Sequence, residues 1–249
     1  MSTALTALVR VLANLGYGSR KQVQALIVQG AVTHADGLPL DTLTPADWQR
    51  LRVHDAPIDP LPGLALMQHK PTGYACSHDD VGPLVYALLP PRFRLRRPPL
   101  SSAGRLDRDT SGLLLLTDDG ALLHRIISPR RHVPRCYRVQ LAADLRGDEA
   151  QAFASGQLLL KGDDRPLLPA RFEALAARAA RLTLHEGRYH QVRRMFAALG
   201  NHVIGLHREA IGALTLGDLA PGAWRVLDAG DLARVFAQSI PASPTDPAP

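Results

Sequence analysis

The sequence predicts an α+β fold in two parts for this chain of 249 residues, and three observations carry that expectation. Two short amphipathic helices and a small hairpin crowd into about the first 50 residues. A proline-rich stretch follows. Beyond it, strands at hairpin spacing are mixed with helices rather than alternating with them one for one, which argues against a doubly wound sheet. With 46% hydrophobic residues the chain can bury a large and a small core.

In order, Leu5, Leu8, Val9, Leu12 and Leu15 recur at helical spacing until Gly16 and Gly18 break the helix. Ser19 reads as the N-cap of a second helix, with Val23, Leu26 and Ile27 on one face and Gly30 at its end. Ala31-Val32-Thr33 then reads as a strand turning at Asp36-Gly37. Ser19, Arg20 and Lys21 combine backbone N–H groups with two cations, a candidate phosphate grip as well as an ordinary cap. Three prolines among residues 56–63 predict a semi-rigid linker at 57–63. It would separate a first domain (1–56) from a second (64–238), and the proline-rich tail (239–249) is expected to be disordered.

In the second part, Leu64–Met67 reads as a strand running into the turn Lys70-Pro71-Thr72-Gly73, where Lys70 is a candidate phosphate contact. Residues 121–127 and 148–155 read as helices. Across 135–141, Tyr137, Val139 and Leu141 alternate with Cys136, Arg138 and Gln140, so Tyr137 points the same way as core residues. Core packing accounts for such a tyrosine, but arginines flank this one closely. Further strands are expected at 158–160, 170–175, 181–185, 201–206, 211–216 and 224–227, with a last short helix around Leu232, Val235 and Phe236. Between them, Val192, Met195, Phe196 and Leu199 form the apolar face of a helix. His190, Arg193 and Arg194 stand near its N-terminal end, where cations oppose the helix dipole, and this implies an anionic partner.

The stretch Gly104 to Gly120 is the densest in chemistry. Asp107 and Asp109, interleaved with Arg105 and Arg108, precede a four-leucine run whose strand can hold a carboxylate rigidly. Asp109 is expected to bond loop N–H groups, and Asp118-Asp119-Gly120 to form a strand-to-helix turn. A net charge of +6, with arginines clustered at 92–97, 125–138 and 188–208, suits a polyanion such as RNA. No apolar run nears the roughly 20 residues of a membrane span and the N-terminus lacks a signal-peptide pattern, so a soluble cytoplasmic protein is expected. Cys76 and Cys136, far apart and without histidines at ligand spacing, predict neither disulfides nor zinc.

Three stretches together resemble the bacterial ribosomal RNA pseudouridine synthases: Gly104-Arg105-Leu106-Asp107 with Thr110 and Gly112; Tyr137-Arg138-Val139; and Glu186 to Met195. The similarity spans about residues 5–238. Residues 200–212 look closest to the small-subunit branch, the 16S rRNA pseudouridine(516) synthases, with the large-subunit (23S) relatives as near competitors. The first 55 or so residues look like the small RNA-binding domain of ribosomal protein S4, although its usual Arg-Leu-Asp-Lys start is Ala7-Leu8-Val9-Arg10 here.

The resemblance implies a catalytic domain on a mainly antiparallel mixed sheet with flanking helices. It also implies that Asp107 is the catalytic aspartate, that Tyr137 stacks on the flipped uracil and helps remove the proton from carbon 5, and that Arg193 pairs with Asp107. Arg105, Lys70, Arg130, Arg188, His190, Gln191 and Arg194 would contact the substrate. No metal or other cofactor is needed, because the isomerisation is redox-neutral and breaks no phosphate bond. The expected partner is 16S rRNA in an assembling small subunit, met by a monomer. Two other classes remain: an rRNA-binding assembly factor without activity, and a nuclease or glycosyl transferase using Asp107, Asp109, Asp118 and Asp119 as a metal cluster.

Overall fold

A computed structural model describes residues 2–238, and the tail expected to be disordered lies outside the described residues. The chain clusters into two compact units. One takes in residues 2–65 together with 86–101 and 117–120; the other comprises 66–85, 102–116 and 121–238.

In the first unit, helix α1 (Thr3–Asn14) starts where the Ser2 hydroxyl accepts from Leu5 N, and it buries Leu8, Val9 and Leu12. Helix α2 (Arg20–Val28) starts at a capping box: Gln22 N donates to the Ser19 hydroxyl, and Ser19 N donates to Gln22 Oε1. Strands β1 (Val32–His34), β2 (Leu51–Val53) and β3 (Ala56–Pro57) form a three-stranded antiparallel sheet. Leu8, Leu12, Leu15, Val23, Val32 and Leu51 close the core of this unit.

The stretch expected to be a free linker instead joins the first unit. Pro57 pairs with Arg52 in the sheet, Asp59 N donates to the Tyr17 hydroxyl at 3.0 Å, and Arg92 Nε meets the Asp59 carboxylate at 2.5 Å. The Arg92 guanidinium also covers the Tyr17 ring.

The second unit is built on a nine-stranded sheet. Its strands are β4 (Ala65–Lys70), β5 (Ser101–Ser102), β6 (Thr110–Thr117), β7 (Arg135–Leu141), β8 (Arg171–Ala176), β9 (Ala179–Leu184), β10 (Val203–Ile211), β11 (Leu214–Thr215) and β12 (Trp224–Val226). The order is β12-β4-β6-β10-β7-β9-β8, with β5 beside β6 and β11 beside β10. β10 runs parallel to β6 and antiparallel to β7, so the sheet is mixed and mainly antiparallel. Helices α3 (Gly120–Ile127), α4 (Glu149–Ala154), α5 (Gln191–Ala198) and α6 (Ala229–Val235) accompany it. Phe153 of α4 meets Phe196 of α5 edge-on at 5.2 Å and Phe172 of β8 at 5.7 Å, which seats both helices on one face of the sheet. Among the described residues no helix is long and apolar enough to cross a membrane.

Two expected elements differ. Leu158–Leu160 is not a strand. The strand expected to end at 206 runs on to Ile211, because the polar run His207-Arg208-Glu209 continues the ladder with β7 instead of ending it.

Candidate active site

The loop before β6 carries Asp107, and three features hold it. Lys70, at the end of β4, is fully buried; its ammonium donates to the carbonyls of Asp107 (3.0 Å), Arg108 (3.3 Å), Thr110 (2.7 Å) and Pro71 (3.1 Å). Burial lowers the Lys70 pKa, and the opposing charges of Cys76, Asp109 and Asp107 only partly offset that. Leu106 is clasped by the buried Cys76 sulfur, which accepts from its N–H and donates to its carbonyl, both at 3.4 Å. Gly112, at φ +113°, lets β6 approach β10, since a side chain there would collide with the Arg208 backbone.

Around the Asp107 carboxylate, His190 Nε2 stands 3.4 Å from one oxygen and Arg193 Nε 3.9 Å from the other. His190 is the left-handed N-cap of α5 (φ +46°), and its ring stacks on Tyr189 with centroids 3.8 Å apart. Arg193 lies one turn into that helix. Its Nη1 donates to the Val203 carbonyl at 2.9 Å, and its Nη2 pairs with Asp109 at 2.7 Å. Asp109, expected to bond loop N–H groups, is thus the closer carboxylate to Arg193. The Nε facing Asp107 is buried and has no hydrogen-bond partner.

A cavity of about 390 Å³ opens beside this group. Asp107, Arg105 and Thr110 line it from the loop, Tyr137 and Arg135 from β7, Arg188 to Val192 from the approach to α5, and Leu206 and Arg208 from β10. Tyr137 is 9% exposed and opposite Arg208 in the β7–β10 ladder, so the phase that gave it core neighbours also turns it to the cavity.

Other expected site residues are held by the protein itself or lie open to solvent. Lys70 is a buried strut of the Asp107 loop and cannot meet a phosphate. Arg188 bonds Asp163 (2.8 Å), Glu186 (3.1 Å) and the carbonyls of Arg165 and Pro166. Arg194 bonds Asp163 (2.5 Å) and the carbonyls of Lys161 and Tyr189. Gln191, 4% exposed, accepts from Arg188 N and donates to Glu186. These three brace the loop around Asp163, whose carboxyl is held below its usual range first by Arg194 and then by Arg188. Arg105 and Arg130 are exposed, and only Arg105 lines the cavity. Ser19, Arg20 and Lys21 are exposed, with Ser19 engaged in its cap. Asp118 pairs with Arg96 at 2.7 Å within the first unit, so its carboxylate is already engaged.

Arg208 and Thr110 were not singled out by their chemistry. A signal existed: in one strand over 203–211, Arg208 falls in phase with Leu206 and Ala210, an arginine on the buried face.

The family model for RNA pseudouridylate synthase matches residues 65–198, and this chain belongs to that family. The ribosomal small subunit pseudouridine synthase A of Vibrio cholerae serotype O1 is 40% identical over 227 residues, covering 88% of this chain and 94% of that protein. The protein of the same name from Escherichia coli K12 is 48% identical over 171 residues, covering 68% and 72%. A crystal structure of a pseudouridylate synthase superposes with a TM-score of 0.65 at 37% identity, covering 92% of this chain and 98% of that one.

Proposed function

We propose that this protein converts one uridine of 16S rRNA, uridine 516, to pseudouridine with Asp107 as the catalytic carboxylate and without a cofactor. The observation that carries this is the cavity itself, where a half-exposed carboxylate faces an arginine and a histidine beside a tyrosine wall. The small-subunit target is supported by relatives of that name, one of which matches 88% of this chain.

The uridine leaves its stack and enters the cavity, where Tyr137 offers a ring to stack on and a hydroxyl for the carbon 5 proton. Asp107 acts on the nucleotide so that the bond between C1′ and N1 breaks. The ring turns, carbon 5 bonds C1′ and loses its proton, and N1 gains one. Arg193 pairs with Asp107 and holds its rotamer. Arg105 and Arg130, both exposed, meet the RNA backbone. Residues 1–56 serve as an S4-like RNA-binding domain, with Ser19, Arg20 and Lys21 at a phosphate. The protein works as a cytoplasmic monomer on the assembling subunit.

The test is tritium release from 16S rRNA labelled at uracil carbon 5. Wild-type protein should release one equivalent and Asp107→Asn none. A wild-type protein that binds this RNA yet releases nothing would make it an assembly factor instead.

A further inference from the structure

Two polar groups in the cavity have no use in the reaction as described so far. Arg208 is 1% exposed, and its Nε donates to the Leu113 carbonyl at 2.7 Å while its Nη2 is buried with no partner. Thr110, also 1% exposed, has a buried hydroxyl with no hydrogen bond. They are neighbours across the parallel ladder, where Thr110 pairs with Leu206 and Gly112 with Arg208, and both line the cavity that Asp107 and Tyr137 share.

A buried guanidinium without a carboxylate is costly, and the same molecule shows how a structural one is treated. Arg96, 3% exposed, bonds Asp118 twice and two carbonyls. No carboxylate pairs with Arg208 among the described residues. Its free N–H groups therefore await an acceptor that arrives with the ligand.

Resting on the pseudouridine synthase reading, we infer that Arg208, with Thr110, holds the uracil ring and stabilises the charge the ring acquires when it leaves the ribose. When the C1′–N1 bond breaks, its electron pair departs with the ring, and the uracilate so formed spreads its charge over N1, O2 and O4. Arg208 Nη2 donates to one of those oxygens, more strongly to the anion than to the neutral base, and so lowers the barrier and not merely the binding energy. The Thr110 hydroxyl accepts from N3–H or donates to the second oxygen and fixes the ring in its plane. Closure restores the balance: carbon 5 bonds C1′ and gives up its proton, N1 gains one, and no oxidant or co-reactant is consumed.

The experiment compares single-turnover rates on one small-subunit RNA carrying either uridine or 5-fluorouridine at the target. Fluorine makes the departing ring a weaker base, so its departure needs less help from a cation. Arg208→Met should slow uridine conversion about 100-fold or more while RNA affinity stays within about threefold, and the deficit should shrink at least about tenfold on 5-fluorouridine. Arg208→Lys, which keeps the charge, should fall between. Should Arg208→Met fail to fold, the same two-substrate comparison is made with Arg208→Lys, and Thr110→Val provides an isosteric control expected to lose about tenfold. Equal deficits on the two substrates, or none, would overturn the inference while the wild type stays active. A wild type inactive on uridine would overturn the functional reading and the inference with it.

Discussion

The arginine beside Asp107 and the two beside Asp163 are drawn from the same run of sequence, yet they are treated differently. Arg188 and Arg194 are bonded on several sides: between them they take two carboxylates and four carbonyls, and Asp163 receives both. Arg193, beside Asp107, and Arg208, in the cavity wall, each keep a buried nitrogen unbonded. Charge does not distinguish the two sets, but hydrogen-bond satisfaction does. A fully bonded guanidinium is a brace, and one left short is reserved for a ligand.

Four changes can break or sharpen that contrast. Arg193→Met should slow turnover on 16S rRNA about 100- to 1,000-fold while moving the unfolding midpoint by less than about 2 °C; a larger thermal than kinetic effect would make Arg193 another brace. Lys70→Met should cost about 10- to 100-fold in turnover and also lower the midpoint, because it frees four carbonyls and the Asp107 loop together. In Arg188→Met the order reverses: a midpoint lower by about 2–5 °C in calorimetry, with turnover reduced less than about tenfold.

The smallest effect belongs to Asp231, far from the cavity. Its carboxyl is lowered to about 2, first by its bond with Arg225, against the opposing effect of burial. A depressed carboxyl contributes stability that is complete above its ordinary value of 3.8 and is lost as pH falls from 3.8 toward 2. No more than about 2 kcal/mol is involved, since Arg225 is partly exposed to solvent. Asp231→Asn should flatten that part of an acid-unfolding profile; an unchanged slope would contradict the assignment.

Much of the fold was legible because it rests on local signals. Ser19 with Gln22 announces α2, and the alternation from Arg135 to Leu141 gives β7 its residues and its faces. The arrival of Arg193 beside the Asp107 loop was expected only from the family resemblance. What was illegible depends on distant partners. Nothing near Arg188 or Arg194 shows that Asp163 will reach them across a loop, so they read as free cations. Lys70 looked exposed because Lys-Pro-Thr-Gly reads as a turn, whereas the strand carries it to full burial. Arg208 was hidden by a misplaced strand end: split at 206, the strand loses the phase that turns this residue inward.

The most direct measurement maps pseudouridines in rRNA from cells lacking this protein and from the same cells given back the wild type or Asp107→Asn. One pseudouridine, at position 516 of 16S rRNA, should vanish on deletion, return with the wild type and stay absent with Asp107→Asn. A missing site in 23S rRNA, or restoration by Asp107→Asn, would contradict the target or the carboxylate respectively.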